Sequence, residues 1–167
     1  DINVGFRIVT DKLNMNAGVS FQPQTTKLSY KKDVLDTLVT RNVFHWSPRV
    51  FMRYRFSKTS QLNVRYNGSA SEPSMTNLLD ITDDSDPLNI SKGNPNLKPS
   101  WTNSFNAFYN NYITDKQMGW MVNANFSQTS NSISSKVNYN EQTGVRITQP
   151  ENINGNWNAS SSLMFNT

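Results

Sequence analysis

Side chains able to carry covalent chemistry are scarce in this chain. His45 is the only histidine and cysteine is absent. A Ser-His-Asp arrangement would rest on His45 alone, and no Gly-x-Ser-x-Gly elbow accompanies it. Ser29-Tyr30-Lys31-Lys32 matches Ser-x-x-Lys in letters only, within a polar stretch. Gly-rich phosphate loops are missing, and without cysteine there is no disulfide framework or thiolate metal site. The expectation is no enzymatic activity, no cofactor and no metal centre. What remains is charge. Asp80, Asp83, Asp84 and Asp86 are clustered carboxylates of the kind that hold calcium, but their spacing does not fit an EF-hand, so a solvated acidic loop is expected. Arg7, Arg53, Arg55 and Arg65 recur at like parity and could attract anions or pair with carboxylates from elsewhere.

The elements that position these arginines have a period of two. Ile2, Val4, Phe6 and Ile8 alternate with Asn3, Gly5 and Arg7; Leu13 to Phe21 alternates with Asn14 to Gln22. Val50, Met52, Tyr54 and Phe56 oppose Arg49, Arg53 and Arg55, with Phe51 breaking the rule. Leu62, Val64 and Tyr66 oppose Asn63, Arg65 and Asn67. Phe105, Ala107 and Tyr109 oppose Ser104, Asn106 and Asn110, with Phe108 and Tyr112 as misfits. Trp120 to Phe126 and Trp157 to Phe165 complete the set. Alternation of this kind predicts seven strands, each with two unlike faces, in an all-β antiparallel meander. No stretch reaches the length of a transmembrane helix.

Connections alternate short and long. Short ones are expected near Thr10–Lys12, Lys58–Ser60 and Thr114–Met118. Long ones are expected over residues 23–42, 71–100 and 135–154. A transmembrane β-barrel has this plan, with short turns on one side, long loops on the other, and strands apolar outward and polar inward. Arginines facing lipid would cost roughly 2–4 kcal/mol each at the midplane, so their parity must face water. Asn and Ser, about a quarter of the 167 residues, suit a wet wall. The expected lumen-facing residues are therefore Arg7, Arg53, Arg55, Asn63, Arg65, Asn123 and Asn125. Phe56, Tyr109, Trp120 and Phe165 lie near the short-turn ends, where an interfacial aromatic girdle belongs, although the same rings would also serve as core anchors. Seven strands are one arc of a barrel, since closed bacterial barrels use even numbers. Residues 1–167 thus read as a partial barrel domain, with no plug domain or signal peptide in this chain. Net charge is +4 without any Lys/Arg run, so nucleic acid is not an expected partner.

The long loop after the fourth strand carries Ile90-Ser91-Lys92-Gly93-Asn94-Pro95-Asn96-Leu97-Lys98-Pro99. With Glu72-Pro73-Ser74 and Asn77-Leu78-Leu79 before it, Pro48-Arg49 leading into Arg53-Tyr54-Arg55-Phe56-Ser57-Lys58, and Thr148-Gln149-Pro150-Glu151-Asn152-Ile153 after it, the chain resembles the barrel of TonB-dependent outer-membrane receptors. It is most similar to those of Bacteroidota, in which a "GNPxLKP" loop joins two strands. The resemblance implies residence in the outer-membrane lipid of a Gram-negative cell. It implies as partners the remainder of the barrel, its plug, the TonB system and a scarce nutrient ligand, and as function import driven by TonB. It also puts Asp80, Asp83, Asp84, Asp86, Asn94 and Pro95 on an extracellular loop. Gly93 is expected to supply a positive-φ turn, Asn94 an extended residue before proline, and Pro99 a stiff approach to Trp101. Two other readings stay open: an outer-membrane barrel that does not transport, and a soluble glycan-binding β-sandwich with Trp101, Trp120 and Trp157 as platform or core.

Overall fold

The computed structural model describes residues 1–32 and 35–167. Seven strands form one antiparallel meander in chain order: β1 (Ile2–Val9), β2 (Leu13–Lys32), β3 (Leu35–Arg55), β4 (Ser60–Ser71), β7 (Ser100–Ile113), β8 (Met118–Ser130) and β11 (Asn156–Asn166). The sheet is open, with β1 and β11 at its edges. A second sheet has the order β5 (Thr82–Asp83), β6 (Asn89–Lys92), β10 (Arg146–Ile153) and β9 (Ser132–Tyr139). One helical turn, α1 (Met75–Leu78), precedes β5, its Ser74 hydroxyl accepting from Asn77 N–H. The chain divides into two compact units. The larger comprises residues 1–69, 102–128 and 157–167, and the smaller residues 70–101 and 129–156.

In the larger unit the register sorts side chains as the alternation requires. Arg7 pairs with Asn16, Asn16 with Phe51, and Phe51 with Arg65, making one row across four strands. Asn14, Arg53 and Asn63 make the next row, and Gly5, Gly18, Arg49 and Asn67 the row on its other side. The opposite face carries Ile8, Met15, Met52 and Val64, then Phe6, Ala17, Val50 and Tyr66. Ring contacts continue this apolar face: Tyr54, Phe56, Tyr109 and Trp120 touch in sequence near the short turns, and Tyr66, Phe105 and Phe126 do so farther along. Ser60 Oγ meets Tyr109 Oη at 2.9 Å beneath the first set.

The short turns fall where expected. Thr10 N–H donates to Leu13 O, Phe56 N–H to Ser60 O, and residues 114–116 form a 3-10 turn closed by Gln117 at φ 51°. Two of the three long connections, by contrast, are mostly strand. Residues 23–42 continue the β2–β3 ladder from Pro23↔Phe44 to Lys32↔Leu35, with residues 33 and 34 outside the described residues. Thr25, Thr26, Thr40 and Val43 supply β-branched side chains suited to a pleated ladder, which Pro23 does not interrupt. Residues 135–154 likewise hold most of the antiparallel β9–β10 pair. The connection over 71–100 contains α1, β5 and β6.

Burial separates the units. Among the described residues no apolar side chain of the larger unit is buried, and Phe6, Phe44, Trp157 and Leu163 are 58%, 65%, 65% and 71% exposed. A soluble sandwich would cover one face of such a sheet. Trp120 rests on Tyr109 in the ring series and Trp157 stands exposed on an edge strand, so neither belongs to a core. Among the described residues the buried apolar side chains are Leu79, Leu97 and Pro73, all in the smaller unit.

Candidate functional site

The polar face of the larger unit centres on Phe51, the residue that broke the alternation. The guanidinium carbons of Arg53 and Arg65 each lie 5.6 Å from its ring centroid. Phe51 is thus on the polar face because two cations use its π surface, an attraction of about 0.5–2 kcal/mol each depending on desolvation. Arg53 Nε also donates to Asn63 Oδ1 at 2.9 Å. A hollow of about 590 Å³ adjoins this group, with Arg7, Arg49, Phe51, Arg65, Gly5 and Gly18 in its lining. The two glycines face one another across β1 and β2, and a Cβ on Gly5 would stand 2.9 Å from Ala17 O. Close strand approach excludes a side chain there.

Of the expected polar-face residues, Arg53 and Arg65 meet at Phe51, Asn63 is bonded to Arg53, Arg7 lies in the Phe51 row two strands away, and Arg55 lies one row beyond Arg53, opposite Gln61. Asn123 and Asn125 form a separate group. Asn106 Nδ2 donates to Asn125 Oδ1 at 2.7 Å, and Asn125 Nδ2 to Asn123 Oδ1 at 2.7 Å. Asn125, Asn106, Arg65 and Asn67 line a smaller hollow of about 350 Å³, which Phe105 and Phe126 also border. The misfit Tyr112 lies over Gly119, where an added Cβ would be 3.1 Å from its ring. His45 sits mid-strand opposite Gln22, and Ser29–Lys32 lies in extended backbone of β2.

In the smaller unit the motif residues lock together. Asn94 N–H donates to Asn77 O at 2.6 Å, its Nδ2 to Pro150 O at 2.9 Å, and its Oδ1 accepts from Asn96 N–H. Gln149 Nε2 donates to Gly93 O at 3.0 Å. Asn152 accepts from Lys98 N–H and donates to Lys98 O and Asn131 O. Asn94 is therefore a brace of this unit. Gly93 departs from expectation: the positive-φ glycines among the described residues are Gly144 and Gly155. Gly93 is required by contact instead, because a Cβ would fall 1.8 Å from Leu79 O.

The four aspartates do not converge. Among the described residues no group of three or more acidic or histidine side chains could share a metal ion. Asp83 Oδ1 accepts from Ser85 N–H and Oγ–H. Asp86 accepts from Asn89 Nδ2 at 2.8 Å and Leu88 N–H at 3.0 Å. These bonds, that from Asn89 foremost, hold the Asp86 carboxyl below its usual pKa despite slight opposing desolvation. A lowered folded-state pKa stabilises the turn above the ordinary carboxylate range, and that contribution disappears as pH falls through the lowered value. Amide exchange at Leu88 and Asn89 is therefore expected to rise only in that acidic window, and at all pH values in Asp86→Ala. Equal pH profiles for the two proteins would refute the capping role.

The geometry leaves a sheet with one cationic, amide-rich face and one uncovered apolar face, and comparison with known proteins bears on what such a sheet is. A family model described as the outer membrane protein beta-barrel family matches residues 3–167. The chain belongs to this family. This outer-membrane β-barrel chain is also similar in fold to a Serratia marcescens structure, a double mutant of the hemophore receptor HasR in complex with its hemophore HasA and heme. The TM-score is 0.59 at 18% identity, over 92% of this chain and 29% of the receptor chain. The match thus spans under a third of the receptor's length. No curated protein sequence matches the chain.

Proposed function

We propose that this barrel segment belongs to a TonB-dependent receptor of a Bacteroidota-type outer membrane that imports a scarce nutrient, and that it has no catalytic role. One observation carries the reading: among the described residues the larger unit buries no apolar side chain, while its polar face gathers five arginines. Lipid suits the first face and an aqueous lumen the second. Arg7, Arg53, Arg55, Asn63, Arg65, Asn123 and Asn125 are then lumen residues, and the ring series from Tyr54 to Trp120 is an interfacial girdle. The smaller unit, with Asp80, Asp83, Asp84, Asp86, Asn94 and Pro95, belongs to the extracellular side, where long connections lie. Likeness to the fold of a hemophore receptor supports a receptor over a non-transporting barrel. The test is capture of the periplasmic domain of TonB by the full-length protein in outer-membrane vesicles. Specific capture is expected, and binding no greater than to vesicles lacking the protein sinks TonB-dependent import.

A further inference from the structure

We propose that the Phe51 hollow is a binding site for a small polyvalent oxyanion, a molecule bearing two or more carboxylate or phosphate groups. The inference deepens the receptor reading and rests on its aqueous polar face.

Three cations, Arg7, Arg49 and Arg65, line this hollow, and Arg65 shares the Phe51 ring with a fourth, Arg53, beside it. Among the described residues none of them is paired with a carboxylate. Of the side-chain donors at the ring, only Arg53 Nε is committed, to Asn63. A guanidinium attracted to a π face keeps its N–H edges for an acceptor, so Phe51 holds Arg53 and Arg65 in place without consuming their donors. Two like charges beside one ring repel, and an anion between them turns that cost into attraction. The planar fork of arginine matches carboxylate and phosphate geometry bidentately, and holding it in advance reduces the entropy lost on binding.

Space and charge balance point the same way. The hollow of about 590 Å³ lies within the range of small-molecule sites, and Gly5 and Gly18 in its lining contribute no side chain to it. By sequence the larger unit holds twelve Lys and Arg against five Asp and Glu, whereas the smaller holds four against seven. The basic excess therefore belongs to the sheet that carries the hollow.

Isothermal titration of the full-length protein in detergent, with citrate and separately with pyrophosphate, tests the site. Saturable binding is expected for at least one probe. The double variant Arg53→Gln/Arg65→Gln should weaken it at least tenfold, Phe51→Leu several-fold, and Phe51→Tyr should restore it. Arg55→Gln, one row away, should leave it unchanged. Absence of binding to the unaltered protein overturns the site, as does an Arg55→Gln loss equal to that of the double variant, which would mean general charge attraction. Lysine substitutions at Val19 and Ser20, compared for stability, report which face meets lipid without any anion. A failed titration with that asymmetry intact removes the site alone, and loss of the asymmetry removes the receptor reading with it.

Discussion

Replacing Gly93 with alanine is expected to unfold the smaller unit while the register of the seven-strand sheet survives. The new Cβ would sit 1.8 Å from Leu79 O and 3.2 Å from Asn77 O, both backbone atoms that no rotamer change can clear. Relief requires the segment around Gly93 to move away from Leu79, one of the few buried apolar side chains of this unit. The same shift strains Asn94 N–H to Asn77 O and Gln149 Nε2 to Gly93 O. Overpacking alone costs about 1–3 kcal/mol, and each hydrogen bond lost adds about 1 kcal/mol, so a total near 3–5 kcal/mol is expected. A small unit has little stability to spare beyond that. Hydrogen exchange should show lost protection across residues 77–79, 93–98 and 149–152, with protection in β2 and β3 retained. Gly144→Ala separates crowding from backbone strain: at φ +70° with nothing within 4 Å of the added carbon, it should cost only about 1–2 kcal/mol. If the two variants lose protection equally, crowding at Gly93 is not what holds the unit together.

The contrast between these glycines shows what a sequence carries and what it leaves to tertiary structure. Alternation is local, so seven strands, their two faces and the short turns could be read from residue order. Loop or strand is a less local question. Pro23 and the polar run after it looked like a loop, yet extended backbone persists because the pairing partner from Asn42 to Leu35 is equally extended and supplies the hydrogen bonds. Phe51 looked like an error in the pattern because a strand does not reveal which cations lie across it, and its use depends on Arg65 from the neighbouring strand. The motifs around Gly93 and around Gln149 were both visible. Their mutual bonding was not, since a separation of 56 residues between Asn94 and Pro150 carries no periodic signal. The only available hint was composition: Gln and Asn flanking a proline offer side-chain amides to backbone groups that a strand interrupted by proline leaves unpaired.

Val19→Lys is expected to destabilise the membrane-inserted protein by about 2–4 kcal/mol, whereas Ser20→Lys, one residue along, should cost about 1 kcal/mol or less. The depth of Val19 follows from the aromatic limits of the apolar face. Tyr54 stands at the short-turn end, paired with Leu13, and Phe44 stands ten residues back along β3, paired with Pro23. Ten residues span about 33 Å along a strand, or about 25 Å across the bilayer at a tilt near 40°, which equals the apolar band of outer-membrane barrels. Val19 pairs with Pro48, six residues from Tyr54, and so lies close to the middle of that band. On the proposed lipid-facing side a lysine there would have lipid around it and the longest path to either interface, which limits snorkelling. Ser20 pairs with Asn3 and Ser47 on the other face, where an added cation meets polar neighbours. Folding equilibria of the full-length variants into lipid vesicles, read by denaturant titration, give the two costs directly. A difference of about fivefold or more in the folding constant is expected between them. Equal costs would mean that neither face meets lipid preferentially, and a reversed order would turn the sheet inside out.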